Sequence, residues 1–166
     1  MTTGKNNASN PPVSVWRAVA TSLRRFARER TPGWSGTSDT QSPSSREIGD
    51  RGEKVARWHL QKQGYHILAT NWWAPNRRGE LDIVTMQDET LVGIEVKSYP
   101  AGELSPAEAL DRQKRRKLVR LIKTYARQER LLHCNMRVDL LVVEWAEGGQ
   151  VGSIRHIESA VTEDDA

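Results

Sequence analysis

Residues 79–98, GELDIVTMQDETLVGIEVKS, consist of two apolar runs on either side of a polar centre at Asp88 and Glu89. This pattern predicts a β-hairpin whose turn lies at that centre. A turn there places Asp82 directly opposite Glu95, with their Cβ atoms about 4.5–5.5 Å apart. Like charges in opposed positions destabilise a sheet, so the hairpin requires something that compensates two adjacent carboxylates.

Solvent or a cation can supply this compensation. For an arbitrary hairpin, a solvated face is the simpler interpretation. Here Val84 and Met86 fall on the same side as Asp82, which favours a half-buried face. Carboxylates in such a setting need a cation or a shared proton. Lys97 provides one positive charge, and carboxylate oxygens suit Mg²⁺ or Mn²⁺ as the source of the remainder.

The same three residues suit the hydrolysis of a phosphodiester bond. A metal ion polarises the phosphoryl oxygen and lowers the pKa of bound water, while a lysine ammonium stabilises the developing charge. The spacing of Asp82, Glu95 and Lys97 is a weak signal by itself. Their predicted placement on one face of a hairpin strengthens it.

Residues 46–162 are predicted to form one α/β domain. Apolar side chains at helical spacing predict a first helix that ends near Gly64. A strand, YHILATNWW, precedes the hairpin. Ser105 and Pro106 have the order of an N-cap and a first helical residue, and they predict the start of a second helix that runs to about residue 130. Two further strands, MRVDLLVVEW and VGSIRHIESA, complete a central mixed β-sheet flanked by α-helices.

Residues 1–45 form a basic extension rich in Ser, Thr, Gly, Pro and Asn, a composition that predicts disorder. Within it, residues 15–30 space their apolar side chains as an amphipathic helix does. A transient or loosely docked helix is one interpretation. A nucleic-acid arm, a membrane-surface helix and a transit-peptide-like segment are the alternatives. The extension carries the whole formal charge of +4, so net charge says little about the domain.

Three features predict a cytoplasmic protein without integral membrane association. Cys134 is the only cysteine, so no intrachain disulfide can form. No apolar run approaches the roughly 20 residues needed to cross a bilayer. The N-terminus lacks the apolar core of a secretory signal. The four histidines are scattered without the spacing of metal ligands.

Four segments taken together resemble a known family. GEKVARWHLQKQGYHILATNWW, RRGELDIV, GIEVKS and MRVDLLVVEW occur in the order of the motifs of the YraN-like bacterial family. That family resembles Holliday-junction resolvases and belongs to the restriction-endonuclease-like, or PD-(D/E)XK, superfamily. The resemblance covers about residues 48–160. It implies a restriction-endonuclease-like fold and a nuclease that acts on DNA.

The resemblance also implies roles for individual residues. Asp82 and Glu95 match the metal ligands, Lys97 matches the catalytic lysine, and Glu53 matches a helix glutamate that completes the acidic cluster. A solvent-facing Glu53 is the alternative. Where the family continues after the lysine with Thr or Ser and then Arg, this chain has Ser98 and Tyr99, so one expected phosphate-binding arginine is missing.

Lys114 matches a lysine of the family's second helix, and it falls among the apolar positions of that helix. It is predicted either to pair locally with Asp111 or to reach the acidic cluster or a bound phosphate. Its neighbours are candidates for contacts with a nucleic-acid backbone, or form a solvated basic face: Arg115, Arg116, Lys117 and Arg120. Trp72 and Trp73 are predicted to pack in a core or interface, with stacking on an unpaired base as the alternative.

The leading hypothesis from the sequence is a Mg²⁺- or Mn²⁺-dependent nuclease that hydrolyses phosphodiester bonds in DNA, with branched or otherwise structured DNA as a candidate substrate. A non-catalytic nucleic-acid-binding module of the same fold is the main alternative. A third hypothesis is an interaction protein recruited through residues 15–30. A homodimer is expected only by analogy with junction resolvases, whose substrates are symmetric.

Overall fold

The computed structural model of the protein describes residues 45–100 and 110–162. The predicted disordered extension and the amphipathic helix at residues 15–30 lie outside these residues, as does the predicted helix start at Ser105. In the described ranges, no helix is long and apolar enough to cross a membrane.

The first helix and the first strand were predicted correctly. Helix α1 spans Ser45–Lys62, and strand β1 spans His66–Trp73. Gly64, between them, has φ +86°, a backbone conformation that glycine adopts without strain after a helix end. A short 3₁₀ turn at Pro75–Arg77 then leads into the hairpin.

The predicted hairpin is confirmed in position and in register. Strand β2 spans Glu80–Gln87 and strand β3 spans Thr90–Pro100. Their antiparallel pairs run from Ile83 opposite Ile94 to Gln87 opposite Thr90. Two residues form the turn, and the first of them, Asp88, has φ +50°, which an aspartate tolerates better than most residues.

The described residues place the start of the second long helix at Arg112, and the predicted cap at Ser105 lies outside them. Helix α2 spans Arg112–Gln128, seven residues after the predicted cap at Ser105. Asp111 is extended, and its side chain accepts a hydrogen bond from the backbone N–H of Lys114 at 2.7 Å. Asp111 is therefore the N-cap of α2.

Strands β4, Asn135–Trp145, and β5, Val151–Val161, complete a five-stranded sheet in the order β1-β2-β3-β4-β5. Strands β3 and β4 are parallel, and the other neighbouring pairs are antiparallel. Helix α2 lies in the connection between the two parallel strands, as a crossover requires. Strand β5 lies at one edge of the sheet.

The sheet separates two apolar clusters. Leu60 of α1 packs in one cluster with Leu141, whereas Leu118 of α2 packs in the other with Leu140. Adjacent residues of a strand point to opposite faces, so α1 covers one face of the sheet and α2 covers the other. In the described residues, the architecture is a mixed sheet between two helices, as the sequence predicted.

Candidate functional site

The carboxylate pair lies where the paired part of the hairpin ends. Beyond the pair Ile83–Ile94, the side chain of Asp82 takes over a ladder position, because its Oδ2 accepts the backbone N–H of Val96 at 2.7 Å. Asp82 is half-buried, and Glu95 is only 2% exposed. The hairpin thus holds one carboxylate in the core and a second one next to it.

Two lysines approach the same oxygen of Glu95. Lys97 Nζ lies 2.7 Å from Glu95 Oε1, and Lys114 Nζ lies 2.9 Å from it. Lys114 therefore reaches the acidic pair from α2, as one of the two interpretations predicted, while Asp111 binds only its backbone. The other oxygen, Glu95 Oε2, is buried without a hydrogen-bond partner, and no other buried side-chain polar atom of the described ranges lacks one. Such an unsatisfied carboxylate oxygen is costly in a protein interior.

The electrostatics of the pair favour an additional cation. Burial, and next the charge of Glu95, raise the pKa of Asp82 from 3.8 to about 7. Burial lowers the pKa of Lys97, but its hydrogen bond with Glu95 and the charge of that carboxylate outweigh this effect, and the pKa is raised overall. Lys97 therefore stays charged at neutral pH, whereas Asp82 ionises only around neutrality unless a ligand neutralises it.

Glu53 sits near this pair but is held separately. Burial raises its pKa, and the side chain of Asn71 opposes that shift by a hydrogen bond to the carboxylate. Asn71 has φ +49° in the middle of β1, an uncommon conformation that points to a positional requirement. Glu53 and Asn71 line a cavity of about 240 Å³ together with Arg57. The charge of Glu53 contributes to the raised pKa of Asp82, so the three carboxylates share one electrostatic environment.

A close contact between α1 and β3 fixes the helix carboxylate relative to the strand residues. A Cβ atom at Gly52 would lie 2.6 Å from both Cβ and Oγ of Ser98. Ser98 Oγ donates a hydrogen bond to the backbone carbonyl of Ile48 at 3.1 Å and accepts one from Trp145 Nε1 at 2.6 Å. Gly52 precedes Glu53, and Ser98 follows Lys97. This contact therefore joins the two segments that carry the candidate site.

Of the three predicted metal ligands, Asp82 and Glu95 fit a divalent cation. The carboxylate of Asp82 and the unpaired oxygen of Glu95 are oxygen donors of the kind that Mg²⁺ and Mn²⁺ prefer. No neighbouring group of the described residues neutralises the negative charge at that oxygen of Glu95. In the described part of the chain, however, no three acidic, histidine or cysteine side chains come close enough to hold one ion. The interaction of Glu53 with the pair that the structure shows is the effect of its charge on the pKa of Asp82.

The predicted backbone-binding residues of α2 occupy different surroundings. Arg115 Nε donates to the backbone carbonyl of Leu110 at 3.0 Å, so its guanidinium holds the start of the helix. Arg116 is exposed. Lys117 and Arg120 line a groove between α2 and the turn that precedes β2. Lys114 alone of the five contacts the carboxylate pair.

The two tryptophans separate into a core residue and a surface residue. Trp72 packs edge-to-face on Tyr125 of α2, with 5.2 Å between ring centroids. This contact matches the predicted packing role. Trp73 is 53% exposed. Of the two tryptophans, Trp73 is therefore the one whose ring is accessible for stacking on a base.

Sequence reasoning missed three positioning residues, namely Gly52, Asn71 and Ser98. A glycine within an amphipathic helix signals close packing, and Gly52 directly precedes the motif glutamate. Asn71 carried a weaker signal, an amide side chain inside an apolar strand. Ser98 carried none, because its contacts join residues that are about 50 positions apart in the sequence.

Comparison with known sequences gives a consistent result. The model of the family described as "Uncharacterised protein family UPF0102" matches residues 52–143. A UPF0102 protein of Porphyromonas gingivalis is 38% identical over 113 residues, 68% of this chain and 82% of the relative. One from Pseudomonas aeruginosa is 33% identical over 123 residues, 73% of this chain and 97% of the relative. The matched span contains α1 from Gly52, the hairpin, α2 and most of β4, and the chain belongs to the uncharacterised protein family UPF0102.

Proposed function

We propose that this protein is a divalent-metal-dependent nuclease that hydrolyses phosphodiester bonds in DNA. The observation that carries the proposal is Glu95, a 2% exposed carboxylate with one oxygen bound by two lysines and the other without a partner. A fold retains such a group only if something offsets its cost. A bound cation next to Asp82 would offset it.

Asp82 and Glu95 would hold the ion, and Glu53 would strengthen the local negative charge. When bound, Mg²⁺ or Mn²⁺ supplies a water of lowered pKa and a positive charge next to the phosphoryl oxygens. Desolvation by the surrounding strands strengthens each of these interactions.

The lysines supply charge that does not depend on the ion. The side chain of Lys97 is 29% exposed and that of Lys114 is 32% exposed, so both lysines are partly accessible from solvent. Glu95 orients both of them, because both bind its Oε1. Lys97 would stabilise the charge that develops on the phosphoryl group, and Lys114 would position the phosphate against the pair.

The finer parts of the proposal rest on the sequence resemblance. Helix α1, the hairpin, α2 and β4 follow in the order expected of a restriction-endonuclease-like domain, with the acidic residues on the hairpin. We extend the proposal to DNA that is branched or otherwise structured, to action in the cytoplasm, and to a homodimer as the unit that matches a symmetric substrate.

One observation favours a second candidate, a nucleic-acid-binding module of the same fold without turnover. The two lysines neutralise Glu95 without any ion, at 2.7 and 2.9 Å. In such a module the carboxylate would orient two cations towards a phosphate, and no metal would be needed. Metal-dependent cleavage separates the two functions.

The test is cleavage of a labelled panel (four-way junction, flap, single strand, duplex, RNA) in Mg²⁺ or Mn²⁺. The variants are Asp82→Ala and Lys97→Met. Asp88→Asn and Lys62→Met serve as matched controls, because both side chains are exposed and lie away from the pair. Asp88 has a positive φ that asparagine tolerates.

We expect metal-dependent cutting of at least one substrate by the wild type and the controls, and loss of cutting in both site variants. Binding without cleavage, unchanged in Asp82→Ala, would refute the nuclease and leave the binding module. Cutting that persists in both site variants would refute the assignment of the site.

A further inference from the structure

A groove runs between α2 and the turn at Pro75–Arg77. It encloses about 470 Å³. Three cations line it, Arg78 from the end of the turn and Lys117 and Arg120 from α2, with Gln113 and Thr124 of the same helix. Among the described residues that line it there is no carboxylate. The groove is therefore a concentrated positive site.

The cations of the groove are not used for internal ion pairs. Within residues 45–100 and 110–162, Arg78 and Lys117 have no hydrogen-bond or ion-pair partner, and Arg120 Nε binds only the backbone carbonyl of Arg116. Three neighbouring like charges repel one another, which costs stability unless an anion is bound. Cations kept close together without a partner side chain among the described residues point to an external anion.

Gly79 explains how Lys117 enters the groove. The glycine has φ +151°, and a Cβ atom there would lie 2.5 Å from Lys117 Cε and 3.1 Å from a methyl group of Leu121. The aliphatic stem of Lys117 thus crosses the turn where any other residue would block it. The motif RRGE therefore has two roles in the groove. Arg78 supplies one cation, and Gly79, which has no side chain, leaves room for the stem of Lys117.

The groove continues directly from the carboxylate site. Lys114, which binds Glu95, lies three residues before Lys117, and Lys117 lies three residues before Arg120. In an α-helix each step advances about 4.5 Å along the axis. The two steps span about 9 Å, comparable with a strand of nucleic acid that carries one charge per about 3.4 Å of axis.

We propose that this groove binds the backbone phosphates of the DNA strand on one side of the bond that is cut, with Arg78, Lys117 and Arg120 as the contacts. This inference rests on the proposed function and adds a substrate-binding site to it. A repeating anion is favoured over a single small one because the cations form a row that begins at the carboxylate pair. Arg78 here contributes a phosphate-binding arginine that the sequence after Lys97 lacks.

The test measures binding of a fluorescein-labelled single strand and a labelled four-way junction by anisotropy, in chelator so that no cleavage occurs. The variants are Arg78→Ala, Arg120→Ala and Lys117→Met, the last of which retains the stem that packs on Gly79. Lys62→Met, on the helix across the sheet, is the matched control. Circular dichroism verifies that each variant is folded.

We expect each groove variant to weaken binding about fivefold at about 0.15 M salt, and to lower the slope of log K against log salt by about 0.7–0.9. The control should bind as the wild type does. Arg116→Ala distinguishes the groove from the whole basic helix face. If Arg116→Ala weakened DNA binding as much as Arg120→Ala does, the assignment of binding to the groove would be overturned.

The two proposals fail in different ways. Wild-type binding by all three groove variants, in a protein that cuts DNA, would overturn this inference and leave the nuclease intact. Weakened binding in a protein that never cuts would support the groove and overturn the nuclease.

Discussion

Gly52→Ala should destabilise the fold although alanine is the better helix former. Replacing a helix-interior glycine by alanine normally stabilises by about 0.5–1 kcal/mol. The new methyl group, however, would lie 2.6 Å from Cβ and Oγ of Ser98, and overpacking of this kind costs about 1–3 kcal/mol. We expect a net loss of about 1–2 kcal/mol in the free energy of unfolding, measured by urea denaturation.

Gly49→Ala is the matched control in the same helix. A Cβ atom there meets nothing within 4 Å, so only the helix propensity should change and the variant should gain about 0.5–1 kcal/mol. Adding Ser98→Gly to Gly52→Ala removes the overlapping atoms. The double-mutant cycle should therefore show a favourable coupling energy of at least about 0.5 kcal/mol.

The result that would refute this reasoning is equal stabilisation by the two alanines. It would mean that α1 does not approach β3 as closely as described, and that Glu53 is not held against the strand that carries Glu95 and Lys97. Gly52→Ala with normal stability but reduced cleavage would instead show that the helix shifts slightly and takes Glu53 with it.

Three further predictions concern the carboxylate pair and the exposed tryptophan. The pKa of Asp82 is raised from 3.8 to about 7 in the folded protein, so in chelator the folded state retains a proton that the unfolded chain has lost. The contribution of Asp82 to the free energy of unfolding should therefore fall as pH rises from about 4 to about 7, by at most about 4 kcal/mol. Asp82→Asn should reduce this dependence and leave the smaller part that the raised pKa of Glu53 causes; an unchanged pH profile in Asp82→Asn would contradict the assignment. Saturating Mg²⁺ or Mn²⁺ should raise the melting temperature at pH 8, with about 2.7 kcal/mol of stabilisation at about 100 times the Kd, and equal stabilisation of Asp82→Asn would place the ion elsewhere. Trp73→Ala should weaken binding of a single strand by about 1–3 kcal/mol if the 53% exposed ring stacks on a base; Trp58→Ala, 38% exposed on α1, is the control, and equal losses would argue against stacking.

The hairpin could be predicted because two local signals agree. Alternation of apolar residues defines the faces of each strand, and the turn at Asp88 fixes the register. The same reasoning identified Lys114, since a lysine among apolar helix positions must find a partner. Its contact with Glu95 at 2.9 Å is one of the two alternatives that this reasoning left open.

The start of α2 and the roles of Asn71 and Ser98 could not be predicted, because they depend on contacts that no local sequence pattern contains. Ser105 and Pro106 have the order of a cap, yet Asp111 is the residue that accepts the hydrogen bond of the helix N-terminus. A local motif does not contain the contacts that decide at which residue the long helix begins. The roles of Asn71 and Ser98 arise from partners on other elements, so their residue types alone could not reveal them.

The charge balance of the site indicates why metal and DNA should bind cooperatively. Asp82 and Glu95 together carry the charge that Lys97 and Lys114 neutralise, but both lysines bind the same oxygen of Glu95. The balance is therefore uneven: one oxygen has two cations, and the other has no partner. A divalent ion between Asp82 and that oxygen would correct the local deficit and give the site a net positive charge. The site would then attract a phosphodiester, and by linkage the bound phosphodiester would raise the affinity for the ion by the same factor. If the ion and the phosphodiester share this site, their affinities should therefore be coupled, whereas independent affinities would place the ion elsewhere.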